Sequence, residues 1–212
     1  MKLGLARERE DRLAQAVTAA GWEPVPCFPT AMAATLAPAP AGGAAAVILL
    51  SPAAAQLAQL PPGLLCLAQG EATARAIPAG HPVRISATPR AEGLVELLRT
   101  EFPEGGRFYL ARAERSREHL ETTFAGTPWR LLPWITHREI AAQPWPDLSG
   151  LDAVLALSPF QAELLGPRFP GLRLAWGQRT HQAFAQVGYP SQGWCDPDAV
   201  ALTRLLLDHS NS

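Results

Sequence analysis

Val47-Ile48-Leu49-Leu50-Ser51-Pro52 returns later in the chain as Val154-Leu155-Ala156-Leu157-Ser158-Pro159. The offset is 107 residues (158 − 51), and it holds at Leu57 and Leu164, at Leu65 and Leu172, and at Leu67 and Leu174. It reaches Gly70-Glu71-Ala72-Thr73, which falls on Gly177-Gln178-Arg179-Thr180 at the same offset of 107 (177 − 70). Farther on the match loosens by one residue, with Gly80 near Gly188, and each copy then carries an apolar helix-like run, 94–98 and 202–207. Self-similarity at a fixed spacing marks a repeated structural unit, so the chain reads as two copies of one α/β unit.

Each copy reads as strand, Ser-Pro, helix, strand, Gly-x-x-Thr, helix, short strand and final helix. Residues 47–50 and 153–157 are short apolar runs between breakers, as buried parallel strands are. Pro52 and Pro159 suit the first turn of a helix, and the serines before them suit its cap. Residues 64–68 and 172–176 read as the next strands, and 71–77 and 178–187 as helices entered through a glycine. Ahead of the first copy, 3–6 reads as a strand and 9–20 as a helix with Leu13, Ala16, Val17 and Ala20 on one face, ended by Gly21. Between the copies, 108–111, 116–124 and 129–135 repeat that strand–helix–strand order. The Pro-rich stretch 24–40 and the stretch 143–146 read as linkers. Strands alternating with helices predict an α/β protein of two similar lobes, each a parallel sheet flanked by helices, with a cleft between them and two chain crossings.

Composition narrows the function classes. In 212 residues, 48% are apolar and 17% charged, enough for a packed core. Lys plus Arg number 18 against 19 Asp plus Glu, a balance that argues against nucleic acid as a partner. The apolar run 44–55 is broken by Ser51 and Pro52 and falls short of the roughly 20 residues of a membrane helix, so no membrane partner is expected. The start of the chain turns charged at Arg7-Glu8-Arg9-Glu10-Asp11, where a secretory signal needs its apolar stretch, and a cytoplasmic monomer is expected. Cys27, Cys66 and Cys195 are widely spaced, outside any CxxC pair, and read as small apolar residues.

In an open parallel sheet, ligands bind beyond the carboxyl ends of the strands, where Ser51, Ser158, Gly70 and Gly177 all fall. A glycine there removes the Cβ between ligand and backbone, and the helix start attracts an anion. Thr73 and Thr180 add hydroxyls, so the pattern suits carboxylates or phosphates. Each turn taken alone reads first as plain capping, and duplication alone would repeat it. Lys2 is the only lysine, which excludes a phosphate-loop motif, and no GxGxxG occurs. His81, His119, His137, His181 and His209 are dispersed without ligand spacing, so no metal is expected. Ser51 and Ser158 lack the flanking glycines of a nucleophile elbow. Arg112, Arg115 and Arg117 read either as a solvated face or as an anion clamp.

Taken together these motifs resemble the uroporphyrinogen-III synthase family. Beside the repeat, the likeness is carried by Ala91-Glu92-Gly93-Leu94 ahead of a helix and by Arg112-Ala113-Glu114-Arg115-Ser116-Arg117-Glu118-His119-Leu120. The resemblance implies two α/β lobes, residues 1–32 with 141–212 in one and 36–138 in the other. It implies a cofactor-independent, cyclising lyase whose substrate is hydroxymethylbilane, closed to uroporphyrinogen III in haem biosynthesis. Ring A loses its hydroxyl, ring D attacks the resulting azafulvene through its substituted carbon, and the spiro intermediate opens with ring D inverted.

Carried over residue by residue, the resemblance implies substrate binding by Arg7, Ser51, Gly70, Thr73, Arg112, Arg117, Ser158, Gly177 and Thr180. The family's cleft tyrosine has no counterpart, because the chain reads Trp134-Ile135-Thr136-His137-Arg138. Thr136 is the nearest match and His137 the candidate proton donor, which makes these two the expected catalytic residues. The usual Thr-Arg-Pro near the N-terminus is Ala6-Arg7-Glu8. The missing tyrosine also suits an alternative, a catalytically silent homologue that binds a tetrapyrrole or other polyanion as a sensor. A third reading is a two-lobed binding protein for small anions.

Overall fold

The computed structural model describes residues 1–8, 11–88, 90–115 and 119–210. The chain runs through β1 (Lys2–Leu5), α1 (Arg12–Ala19), β2 (Glu23–Pro26), β3 (Thr30–Ala34), β4 (Ala46–Leu49), α2 (Pro52–Leu57), β5 (Leu65–Ala68), α3 (Glu71–Arg75), β6 (Val83–Ile85) and α4 (Ala91–Glu101). It continues through β7 (Gly106–Ala113), α5 (His119–Thr123), β8 (Trp129–Ala141), β9 (Ala153–Ala156), α6 (Pro159–Leu165), a 3-10 turn (Gly166–Arg168), β10 (Leu172–Trp176), α7 (Gln178–Gln186), β11 (Gly193–Cys195) and α8 (Ala199–Ser210). Two units result, Met1–Ala31 with Ile140–Ser212, and Met32–Glu139, so the division falls inside β3 and β8.

The first unit holds a five-stranded sheet in the order β11-β10-β9-β1-β2, parallel throughout. The second holds a six-stranded sheet in the order β3-β8-β7-β4-β5-β6, with β8 through β6 parallel. The repeat survives in the pairing itself. Ala46 faces Leu65 where β4 meets β5, and Ala153 faces Leu172 where β9 meets β10, each pair 107 residues from its counterpart. Likewise β7 lies on the far side of β4 as β1 lies beside β9.

Alternation along the strands gives each sheet two apolar faces. In the first unit, Leu3, Leu5, Ala153, Leu155 and Leu174 meet Leu13 and Val17 of α1 and Leu202 and Leu206 of α8. Val154, Ala156 and Ala175 meet Ala162 and Leu165 of α6 and Ala183 and Phe184 of α7. The second unit repeats the plan: Ala46, Ile48, Phe108 and Leu110 face Leu94 and Leu98 of α4, while Val47, Leu49, Tyr109 and Ala111 face Ala54 and Ala55 of α2. Covering both faces is why β4 and β9 are apolar at every position. The result is an α/β protein built from two helix-flanked sheets. Among the described residues no helix is long and apolar enough to cross a membrane.

Some elements depart from the sequence reading. The stretch 24–40 is not wholly a linker, since β2 ends within it at Pro26 and β3 runs from Thr30 to Ala34. Pro24 and Pro26 are tolerated because β2 is an edge strand that pairs with β1 alone. Strand β8 runs on to Ala141, well past the expected end at 135. Helix α1 begins at Arg12, where Asp11 accepts a hydrogen bond from the Leu13 backbone N–H at 2.8 Å.

Candidate functional site

In the second unit, the carboxyl ends of the parallel strands bring together Ser51 after β4, Gly70 after β5, Ser86 after β6, and Arg112 and Ala113 at the end of β7. Thr136 and His137 of β8 stand level with that end of β7. Arg112 lies opposite Ile135 and Ala113 opposite His137, so Thr136 is an extra residue bulged out of the register. A bulge breaks the alternation of sides, and both Thr136 and His137 are buried, at 2% and 4% exposure.

Backbone bonds hold this bulge on both flanks. The Thr35 N–H donates to the Thr136 carbonyl at 3.0 Å, and the Glu114 N–H donates to the His137 carbonyl at 2.9 Å. The Thr35 hydroxyl donates to the Ile135 carbonyl. Thr136 Oγ1 lies 2.9 Å from His137 Nδ1 and 3.5 Å from the Arg112 carbonyl oxygen. Burial penalises a charged ring, so the His137 pKa falls below its ordinary 6.5 and the imidazole is neutral near neutral pH. The two expected catalytic residues are therefore joined, with the Arg112 backbone beside them. Arg117 lies outside the described residues.

The serines and glycines divide the remaining work. Ser51 accepts from the Ala54 N–H, and Ser158 from the Gln161 N–H, each at 3.2 Å, so both cap a helix that opens with proline. Gly70 and Gly177 precede α3 and α7 with φ of 92° and 94°, and neither helix start receives a side-chain cap. Thr73 is buried and directs its hydroxyl to the Gln69 carbonyl at 3.5 Å. Thr180 is equally buried, with its N–H donating to the Gly177 carbonyl. An open pocket of about 500 Å³ lies against the Gly70 turn, lined by Gly70, Glu71, Ile85, Ser86 and Ala87.

In the first unit, Arg7, Ser158 and Gly177 follow β1, β9 and β10 at the carboxyl edge of the sheet. Arg7 is exposed, lies 3.8 Å from Asp11, and donates to the Ala6 carbonyl at 3.0 Å. Sequence reasoning missed Thr35 and Ser86. Thr35 lies in a stretch whose prolines imitate a linker, and Ser86 follows a strand of three residues. The one available signal for Ser86 was its place after β6, equivalent to Ser51 after β4. Among the described residues, no group of three or more His, Cys, Asp or Glu is placed to hold a metal ion.

The chain resembles uroporphyrinogen-III synthetase from Helicobacter pylori 26695 in fold, with a TM-score of 0.58, 12% identity, and 98% of each chain covered. Uroporphyrinogen III synthase from the extremely thermophilic bacterium Thermus thermophilus is similar at a TM-score of 0.40 and 18% identity, with 100% of both chains covered. A triple mutant of the Thermus thermophilus enzyme gives 0.44 and 19%, covering 100% of this chain and 98% of that one. No family model matches the chain. No curated protein matches it either.

Proposed function

We propose that the chain is a uroporphyrinogen-III synthase, a cofactor-independent lyase that cyclises hydroxymethylbilane with inversion of ring D in the cytoplasm. The observation that carries this reading is the buried Thr136–His137 pair, joined at 2.9 Å where the resemblance calls for a group that assists loss of the hydroxyl. The likeness to the Helicobacter pylori structure supports the fold only, and a fold hosts many chemistries.

The chemistry asks little of side chains. The C–O bond of the ring A hydroxymethyl group breaks, its electron pair leaves with the oxygen, and that oxygen takes up a proton and departs as water. Loss of the pyrrole N–H proton leaves a neutral azafulvene, which the substituted carbon of ring D attacks. Opening of the spiro intermediate and closure at the other ring D carbon complete the macrocycle. Free hydroxymethylbilane closes directly to the unrotated isomer, so the protein must hold the bilane where the spiro route is faster. Its carboxylates suit the uncapped turns at Gly70 and Gly177 and the cations Arg7, Arg112 and Arg117. Thr73 and Thr180 lie buried in the helices that follow those turns, Ser51 and Ser158 cap the helices after β4 and β9, and His137 hydrogen-bonds the departing oxygen.

The test couples the protein to hydroxymethylbilane synthase with porphobilinogen and separates the oxidised type I and type III isomers. Type III product is the expected outcome, and His137→Ala slows its formation roughly 100-fold while Arg138→Ala leaves it near the wild-type rate. Type I alone from folded protein would overturn the cyclase. A second reading, a silent tetrapyrrole-binding homologue, is favoured by the absence of tyrosine from 134–138. It predicts bilane or porphyrin binding without isomer selection.

A further inference from the structure

We infer that Ile85 and Glu71 form a ring-contact site in the second unit: the Ile85 side chain packs on the face of one pyrrole ring of the bound bilane, and the Glu71 carboxylate accepts that ring's N–H. The inference rests on the cyclase reading for its substrate, and on the cavity beside the Gly70 turn for its place. That cavity, about 500 Å³, is lined by Gly70, Glu71, Ile85, Ser86 and Ala87. Ile85 and Ala87 give it apolar surface, and Glu71 gives it an acceptor. Ser86 adds little, because its hydroxyl already donates to the Thr88 carbonyl at 2.8 Å. Among the described residues no hydrogen bond or ion pair engages the exposed Glu71 carboxylate, which leaves it to a ligand. A pyrrole joins the two chemistries, since its faces are apolar and its N–H donates. A small anion without a ring would meet only the like charge of Glu71.

Strand geometry explains why an apolar side chain stands open there. Alternation puts Ile85 on the face of β6 that Val83 occupies, and Val83 packs in one cluster with Ala76 and Ile77. Helix α3 starts only at Glu71, beyond the Gly70 turn, so that turn bounds the face at the level of Ile85, which stays 38% exposed. The other unit repeats the feature. Ala68 pairs with Ile85 where β5 meets β6, and Ala175 pairs with Trp194 where β10 meets β11, with the two alanines 107 residues apart (175 − 68). Trp194 is 41% exposed and stacks on His181 of α7 at 6.2 Å between ring centres. Between the copies the side chain has changed from isoleucine to tryptophan yet stayed large and apolar, at an exposed place where folding gains little from it. Glu71 likewise corresponds to Gln178, which also carries a side-chain acceptor oxygen.

The site is tested by kinetics in the isomer assay and by titration with uroporphyrin III, followed by its absorbance. Ile85→Thr keeps the branched shape that suits β6 and removes apolar surface. It is expected to raise KM for hydroxymethylbilane about tenfold at unchanged kcat and to weaken uroporphyrin binding by a similar factor, as for one lost apolar contact, and Ile85→Val restores both. Glu71→Ala is expected to raise KM about fivefold through the lost hydrogen bond. Urea midpoints show that each variant is folded, since neither side chain belongs to an apolar core. Wild-type KM and binding in Ile85→Thr would overturn the ring contact, and wild-type KM in Glu71→Ala would overturn the acceptor. A wild type that binds uroporphyrin through Ile85 but forms no type III product overturns the cyclase reading instead, so the two failures are told apart.

Discussion

Gly177 sits at φ 94° and ψ 153°, a region open to glycine and closed to residues with a Cβ. A Cβ there would meet only Pro197 at 3.4 Å, an ordinary contact, so backbone strain alone sets the effect of substitution. Gly177→Ala is expected to lower stability by about 1–3 kcal/mol, measured by urea denaturation. Full retention of stability would mean that the turn relaxes. The duplicated Gly70 and Gly177 were legible in the sequence because no other residue serves that conformation. The joining of Thr136 to His137 was not, since a bulge leaves no mark in residue order and adjacent strand positions read as facing apart. Burial of His137 also gives a pH dependence of defined sign. Its folded pKa lies below the unfolded 6.5, so as pH falls below that value the unfolded chain binds a proton that the folded ring refuses. The stabilising contribution is complete above 6.5 and is lost as pH falls toward the lower folded pKa. Urea midpoints at about pH 7.5 and about pH 5.5 should therefore differ less in His137→Gln than in wild type, and an equal or larger difference would contradict the burial effect.

Among the elements, helix α4 shows how a local rule reverses in context. An alanine normally improves a helix interior over glycine by about 1 kcal/mol. Gly93 in α4, however, approaches the Thr88 backbone so closely that a Cβ would stand 2.4 Å from its carbonyl oxygen. Gly93→Ala is expected to destabilise by about 1–3 kcal/mol through that clash, and a gain in melting temperature would show that Thr88 moves aside. Helix starts at Pro52 and Pro159 were legible from Ser-Pro alone, and both serines do cap. Strands β2 and β3 were not, because Pro24, Pro26 and Pro29 imitate a linker. Only the partner strand shows that β2 lies at an edge, where a missing N–H costs nothing in the ladder. The overrun of β8 past 135 was hidden for a related reason: residues 136–139 are Thr-His-Arg-Glu, polar enough to read as a strand's end.

For the molecule as a whole, the four apolar clusters each draw on one unit only, two on the faces of each sheet. Phe108 is fully buried against Phe102 at 4.8 Å between ring centres, in the core of the second unit. Phe108→Ala is expected to cost about 3–5 kcal/mol. Amide exchange should accelerate throughout β4, β5 and β7 while Val154 and Leu155 keep their protection, and uniform loss of protection would mean a single cooperative unit. The α/β class and the repeat were legible at this scale because duplication preserves spacing even where side chains drift. The discontinuity of the first unit has a consequence for synthesis on the ribosome. Leu3 pairs with Ala153, so at ordinary elongation rates of roughly 5–20 residues per second β1 has been exposed for roughly 10–30 seconds before β9 is translated. The whole of Met32–Glu139 emerges in that interval, and the nascent chain can finish its second unit while its first still waits for a central strand.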